Sequence, residues 1–171
     1  MVETESCSIP LSKVDWNDSS CLITFGPPPE KLILSIQAVG LIEPPLLQRK
    51  KDGLLRIVCG GRRLAVCKKI GLEPLPCRVL SSSLSPQTCL RLAIYDNVAQ
   101  RTLNGVEKAL VLTKMAKYSE RPQVIDEFMP LLDLEPSPAL FDRYAGLAHL
   151  EEVILDSLAA GRLNERIAFA L

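Results

Sequence analysis

Residues 54–71 read Leu-Leu-Arg-Ile-Val-Cys-Gly-Gly-Arg-Arg-Leu-Ala-Val-Cys-Lys-Lys-Ile-Gly. Residues 54–59 are mostly apolar and partly β-branched, which predicts a short strand. Gly60 and Gly61 predict a turn, and the residues after them predict a helix that Gly71 ends as its C′ residue. This strand–turn–helix unit is the part of the chain around which we expect the rest to be organised.

The glycine turn has two interpretations. Without a Cβ atom, Gly60 and Gly61 let a ligand oxygen approach the backbone, and the helix that follows presents N–H groups and its positive dipole end. Arg62 and Arg63 lie in the first helical turn, where a cation opposes the dipole unless an anion is near, and arginine binds phosphate bidentately. The first interpretation is therefore a phosphate-binding turn. The second is an ordinary strand–turn–helix with solvated arginines, because the run is not a Walker motif.

Composition limits the class of protein. The chain has 171 residues, a formal net charge of zero and 47% hydrophobic residues, which is typical of one large or two small globular domains. Its six cysteines form no Cys-x-x-Cys pair and it has one histidine, which argues against a zinc site. The N-terminus lacks a signal-peptide core, and no apolar run reaches membrane-spanning length. We therefore expect a reduced, cytoplasmic protein with no membrane partner.

Charge is distributed unevenly. Residues 1–103 hold 13 Lys and Arg against 9 Asp and Glu, whereas residues 104–171 hold 7 against 11. The basic residues concentrate in residues 49–69, which predicts a basic patch around the glycine turn; solvated loop and helix faces are the alternative. We expect any DNA contact to be weak, to be indifferent to sequence, and to use this region. The residues assigned to that contact are Lys50, Lys51, Lys68 and Lys69.

Turn and cap signals predict the remaining elements. Asp52-Gly53 predicts a β-hairpin between residues 46–49 and 54–59. We also expect strands at residues 8–14, 21–25 and 75–80, the last at an edge or paired only in its second half because it contains Pro76 and follows Pro74. A helix from Glu30 to Gly40 would bury Leu32, Ile33, Ile36 and Val39. Further helices are expected after Ser85-Pro86, after Asn104, at residues 123–129, 130–134, 138–149 and 151–160, and after Asn164.

Three sequence elements in order resemble the N-terminal domain of ParB partition proteins. The family has a serine–isoleucine helix with a Gly-x-x-x-Pro turn, then a Gly-Glu-Arg-Arg turn, then a Glu-Asn-Leu-Gln-Arg stretch before a Leu-Asn. This chain has Ser35-Ile36 with Gly40-Leu-Ile-Glu-Pro44, then Gly60-Gly-Arg-Arg63, then Asp96-Asn-Val-Ala-Gln-Arg101 before Leu103-Asn104. The resemblance covers about residues 9–112 well and the remainder loosely.

The resemblance implies an α+β fold of the ParB/sulfiredoxin type, a small mixed sheet with helices followed by an all-α subdomain. It implies a nucleotide-binding domain at residues 1–103 that binds CTP or a related nucleotide with Mg²⁺ and acts as a DNA-partition or DNA-associated regulatory factor. It also allows a homodimer. Asp96 would be the metal carboxylate and Asn97 a base or ribose contact. The phosphate side would be formed by Gly40, Pro44, Gly60, Gly61, Arg62 and Arg63.

Two departures from the family bear on hydrolysis. Gly61 stands where the family has glutamate in the turn, and Asp96 stands where the family has glutamate in the third element. Since glycine cannot accept a proton, we expect at most a slow nucleoside triphosphatase. Sulfiredoxins and free serine kinases share the fold, but Gly61 lacks the cysteine of the first and the glutamate of the second. A fold-retaining adaptor that does not bind nucleotide is the other alternative.

Residues 104–171 occupy the place of the family's helix-turn-helix. Residues 133–137 would be its turn and residues 138–149 its recognition helix. That helix offers Asp142 and Arg143, with Ser137 as its cap, whereas a major-groove reader normally carries several basic and amide side chains. We therefore expect a degenerate helix-turn-helix, closer to an acidic protein-docking face.

Overall fold

A computed structural model describes residues 2–171 of the protein. The chain divides after Ala93 into two compact units. The first unit holds the strands and the second is helical, and together they confirm the α+β fold. Within residues 2–171, no helix combines the length and apolar character needed to cross a membrane.

The first unit is built on a five-stranded mixed sheet with the order β1-β5-β3-β4-β2. The β1–β5 and β3–β4 pairs are antiparallel, and the β3–β5 and β2–β4 pairs are parallel. The predicted hairpin is confirmed as β3 and β4. The strand bounds are Thr4–Ile9 (β1), Val14–Asp15 (β2), Leu46–Arg49 (β3), Leu55–Cys59 (β4) and Leu75–Leu80 (β5).

The predicted position of β5 is wrong in one respect. The strand pairs with β1 along its whole length and with β3 only from Arg78 onward, so it is not at an edge. Pro76 is accommodated because it lies opposite Ser8 of β1, while the β3 side pairs only beyond it. The alternative prediction, that β5 pairs only in its second half, therefore holds for its pairing with β3.

Two further strand predictions are wrong. The strand expected at residues 8–14 is β1, which begins at Thr4, followed by a short 3-10 helix at Leu11–Lys13 and by β2. Residues 21–25 form no strand, although Cys21 and Ile23 are buried. The apolar side chains of Cys21 and Ile23 pack in the core, but the backbone of residues 21–25 is not paired with any strand of the sheet.

Two helices border the parts of the chain that the sequence assigns to the phosphate side: one ends before the loop from Gly40 to Pro44, and the other begins at the glycine turn. They are α1 (Glu30–Val39) and α2 (Gly61–Ile70), which pack against each other. The predicted apolar stripe of α1 holds for Ile36, whereas Val39 is 65% exposed at the end of the helix. The first unit's core joins both helices to the sheet through Ile36, Leu47, Leu55, Ile57, Leu64, Val66 and Val79.

The second unit contains the end of α3 and the helices after it. The bounds are Pro86–Gln100 (α3), Gly105–Met115 (α4), Arg121–Leu131 (α5), Pro138–Leu147 (α6), Glu152–Ala159 (α7) and Glu165–Ala168 (α8). Helix α4 contacts α5, α6 and α7, so it is the centre of this unit. The predicted break before Pro130 is wrong, since α5 includes that proline one residue before its end, so the hydrogen bond that its missing N–H cannot donate is lost only in the last turn.

Candidate functional site

The glycine turn joins β4 to α2 as predicted. Gly60 is the N-cap of α2 and adopts a left-handed conformation with φ of 82°. The first helical hydrogen bond runs from the Leu64 N–H to the Gly60 carbonyl, 3.0 Å away. Because the amides before Leu64 precede the helical ladder, those of the first turn point out of the helix start, where an anion would be stabilised.

Both glycines are crowded in ways that the sequence does not show. A Cβ atom on Gly60 would lie 3.1 Å from the Arg63 Nε and from the Pro45 Cβ. A Cβ atom on Gly61 would lie 2.9 Å from the Cδ2 of Leu22. Gly60 is thus covered by an arginine and a proline, and a leucine methyl fills the space beside Gly61 where the family has a glutamate side chain.

The two arginines of the turn both contact backbone carbonyls. Arg62 donates from Nη2 to the carbonyl of Phe25 at 2.6 Å. Arg63 donates from Nη1 to the carbonyl of Glu43 at 2.6 Å and to its carboxylate Oε2 at 3.0 Å. The structure therefore brings the loop that contains Gly40 and Pro44 next to Arg63.

A cavity of about 190 Å³ lies beside the turn. Gly61 and Arg62 border it on the helix side, so two of the six residues predicted for the phosphate side open onto it. Its other lining residues include Trp16, Leu22, Thr24 and Pro28. Thr24 was missed because residues 21–25 were assigned to a strand; the signal that could have found Thr24 and Pro28 is the Gly-Pro-Pro-Pro run at residues 26–29.

Trp16 is held at this cavity by two contacts. Its Nε1 donates to the Leu11 carbonyl at 3.3 Å, and the Lys68 Nζ lies 4.2 Å from the centre of its ring. The ring is half-buried. The lysine therefore covers one face of the indole, which is a cation–π contact.

The third family element lies on α3, in the second unit. Arg101 forms a bidentate ion pair with Glu107, with 2.9 Å between Nη2 and Oε1. Glu107 is completely buried and also accepts from the Asn104 N–H, which confirms the predicted capping box. Asn97 accepts from Arg101 at 3.4 Å. Glu107, which the sequence predicts only as part of a helix cap, thus also binds Arg101 of the third family element.

Asp96 is a single half-buried carboxylate on the same helix. Across residues 2–171, no three His, Cys, Asp or Glu side chains come together as a group that could hold a metal ion. Carboxylate and phosphate oxygens with water are the usual Mg²⁺ ligands at nucleotide sites. Asp96 alone offers one carboxylate, so a Mg²⁺ ion bound there would have to take its other ligands from phosphate and water.

The lysine pairs assigned to DNA do not surround the glycine turn. Lys50 and Lys51 precede β4, and Lys68 and Lys69 end α2, so both pairs lie at the end of these elements opposite to the turn. The eight helical steps from Gly61 to Lys69 alone separate the turn from Lys69 by about 12 Å. Because β4 ends at the turn and α2 begins there, the backbone of both lysine pairs lies away from the turn, although the Lys68 side chain extends over Trp16.

Lys50 is compensated by acidic side chains. Its Nζ lies 2.5 Å from Asp15, 3.4 Å from Asp52 and 3.8 Å from Asp18. The hydrogen bond from Lys50 lowers the pKa of Asp15, and the same bond raises the pKa of Lys50. Asp18 also binds Arg56 at 2.7 Å. Lys51 and Lys69 are exposed and offer their charge to solvent, whereas Lys68, also exposed, lies over the Trp16 ring.

The helices at the helix-turn-helix position are tied together by Arg121. It donates to the Pro138 carbonyl at 2.9 Å and to Asp142 at 2.7 Å, and it lies 5.3 Å from the Phe141 ring. Ser137 caps α6 as predicted. Asp142 is thus engaged in packing α6 on α5, and Arg143 is exposed.

Comparison with known proteins identifies the family. The model of the ParB N-terminal domain matches residues 3–98. The chain belongs to this family. The motifs predicted a resemblance over about residues 9–112. The match begins six residues before the start of that range and ends fourteen residues before its end. The family resemblance is therefore confirmed.

Individual relatives show the extent of the similarity. The probable chromosome-partitioning protein ParB of Vibrio cholerae is 30% identical over 86 residues, which is 50% of this chain and 29% of that protein. The chain therefore spans well under half the length of this relative. A solved Pnob8-like ParB-N domain covers 99% of this chain and 78% of its own, with a TM-score of 0.56 at 16% identity, and it supports the fold. Caulobacter crescentus ParB complexed with CTP-gamma-S covers 97% of this chain and 91% of its own, with a TM-score of 0.47 at 25% identity.

Proposed function

We propose that the chain binds CTP or a related nucleoside triphosphate at the glycine turn and works as a nucleotide-dependent factor in DNA partition. The observation that carries this proposal is the left-handed Gly60 that opens α2, with Arg62 and Arg63 in the first helical turn. Family membership supports it, because the turn is the counterpart of the family's Gly-Glu-Arg-Arg element.

The proposal assigns a role to each residue of the predicted site. The amides of Gly60 and Gly61 and the two guanidinium groups would hold the triphosphate, and the loop from Gly40 to Pro44 would shape its outer side. The adjoining cavity, with Trp16 on its wall, would take the sugar or base. Asp96 would bind Mg²⁺ and Asn97 the base or ribose, as the family resemblance implies.

Hydrolysis is expected to be very slow or absent. The turn has no carboxylate at position 61, and the Leu22 methyl occupies the adjacent space. A general base must reach the proton that it removes, and neither glycine nor leucine can accept one. Phosphate release measured with purified protein, CTP and Mg²⁺ tests this. Robust release that Asp96→Ala abolishes would contradict it.

Calorimetry with single variants tests nucleotide binding. Arg62→Ala and Arg63→Ala should each weaken the binding of CTP with Mg²⁺ by about 1.5–3 kcal/mol, the usual contribution of a hydrogen bond to a charged group. Arg78→Ala is the matched control, since Arg78 is an exposed arginine of β5 in the same unit. Unchanged affinity in both turn variants, or an equal loss in the control, would contradict the assignment.

A fold-retaining adaptor is the second candidate. The observation that favours it is that both arginines already donate to protein carbonyls, at Phe25 and Glu43. A thermal-shift panel of the four ribonucleoside triphosphates, with and without Mg²⁺, separates the candidates. A ligand that binds the folded state raises its melting temperature, so a shift with one nucleotide supports the proposal, and no shift with any supports the adaptor.

A further inference from the structure

Glu43 makes two different contacts with the same arginine. The Arg63 Nη1 reaches both its backbone carbonyl and its carboxylate Oε2, at 2.6 and 3.0 Å. The Arg63 side chain is only 15% exposed, whereas the Glu43 side chain is 56% exposed. The arginine is thus fixed against the turn, while the carboxylate lies at its outer edge.

The Glu43 carboxylate lies where an anion bound to Arg63 would lie. A phosphate oxygen at the turn would need the same guanidinium edge, because the Nε and Nη2 atoms of Arg63 lie against Gly60. Glu43 lies in an exposed loop between Ile42, which is 80% exposed, and Pro44. Its side chain can therefore rotate into solvent with little loss of packing.

We propose that Glu43 sets the affinity of the turn for triphosphate, by occupying Arg63 with its own carboxylate until a ligand phosphate displaces it. This inference rests on the proposed function of the turn. Two negative groups repel each other at short range, so the carboxylate and a ligand phosphate cannot share the Arg63 guanidinium, and the binding of one displaces the other. The backbone carbonyl of Glu43 meanwhile keeps the arginine in position.

Glu43→Gln tests the charge while preserving the framework. The variant keeps the carbonyl that accepts from Arg63 and removes only the negative charge of the side chain. It should bind CTP and inorganic tripolyphosphate, each with Mg²⁺, about tenfold more tightly than the wild type in calorimetry. Glu3→Gln is the matched control, because it removes an exposed carboxylate just before β1 in the same unit, and it should leave both affinities unchanged.

A double-mutant cycle assigns the gain to Arg63. In the Arg63→Ala background, Glu43→Gln should improve affinity less than twofold, because the carboxylate no longer has a guanidinium to occupy. Without ligand, the melting temperature of Glu43→Gln should stay within about 2 °C of the wild type, since exposed ion pairs contribute little to stability. A full gain without Arg63, or an equal gain in Glu3→Gln, would overturn the inference.

The outcomes separate this inference from the proposed function. If the wild type binds CTP and Glu43→Gln binds it no more tightly, the inference is wrong and the nucleotide site stands. If only Glu43→Gln binds, the inference is supported in its strongest form. If neither protein binds CTP or tripolyphosphate, both are overturned.

Discussion

Two glycines in left-handed turns differ in what surrounds them. Gly60 and Gly53 have φ values of 82° and 84°, but only Gly60 has neighbours within 4 Å of a new Cβ. Gly53→Ala should therefore cost about 1 kcal/mol of unfolding free energy, from the backbone alone. Gly60→Ala should cost about 2–3 kcal/mol, because the methyl group also meets Arg63 and Pro45. Urea denaturation measures both, and equal losses would show that the crowding at Gly60 relaxes freely.

Two buried thiols make stability depend on alkaline pH. Burial raises the pKa of Cys77 and Cys89 to about 11, from an ordinary value of 9.0. The unfolded chain loses these protons near pH 9 while the folded chain keeps them. Stability is therefore fully present below pH 9 and falls between pH 9 and 11, by about 2 kcal/mol for each thiol. Denaturation at pH 8, 9 and 10 should show this fall, and it should be shallower in Cys77→Ala and Cys89→Ala; a slope that both variants leave unchanged would contradict the assignment.

At the scale of elements, the start of α4 depends on one carboxylate. Asn104→Ala removes a helix cap and should cost about 1 kcal/mol. Glu107→Ala removes the same capping box and also leaves Arg101 without its buried partner, so it should cost about 3 kcal/mol. Glu120→Ala is the control, because Glu120 precedes α5 without a side-chain cap. Guanidinium denaturation ranks the three, and a Glu107→Ala loss no larger than that of Asn104→Ala would contradict the role of the ion pair.

The elements predicted correctly are those with local signals. Asp52-Gly53 fixes the hairpin, Gly71 ends α2, and Asn104 starts α4, because each signal acts within a few residues. The strand at Thr4–Ile9 depends on pairing with β5, more than 60 residues away, and its polar alternation is not visible as an apolar run. Tertiary pairing therefore decided the elements that the sequence pattern misplaced.

In the candidate site, too, the parts with local sequence signals could be predicted and the parts formed by tertiary contacts could not. The glycine turn and its two arginines could be predicted because one continuous stretch encodes them. The groups that contact those arginines are a carbonyl at Phe25 and both acceptors of Glu43, which come from loops 37 and 20 residues away. A backbone carbonyl has no sequence signature, so only the fold reveals it. The placement of Lys50 beside three aspartates is also a product of the fold.

For the molecule as a whole, the distribution of charge predicts where any DNA contact would lie and how strong it would be. Residues 104–171 hold 7 basic against 11 acidic residues, so they repel duplex phosphates. We expect weak binding at physiological salt through Lys51, Lys68 and Lys69, with a smaller part for the compensated Lys50. Anisotropy with two unrelated labelled duplexes over a salt series should show equal affinities that fall with salt.

Two sets of variants check the location of DNA contact. Charge reversal at the four lysines should abolish the residual binding, whereas Asp142→Ala with Arg143→Ala should leave it unchanged. Charge reversal at Lys31 and Lys117, which are exposed lysines elsewhere, is the control. Tight binding to a single duplex that survives the lysine reversals and is lost in the α6 variant would restore a working helix-turn-helix.

The place of Trp16 has an optical consequence. The chain contains one tryptophan, so all indole emission comes from a single position. That ring lines the cavity beside Gly61 and lies beneath the Lys68 ammonium group. Anything that enters the cavity or draws the lysine away alters the polarity next to the fluorophore. The intrinsic fluorescence of the unlabelled protein therefore reports occupancy of this cavity, as a change in the wavelength and intensity of the Trp16 emission.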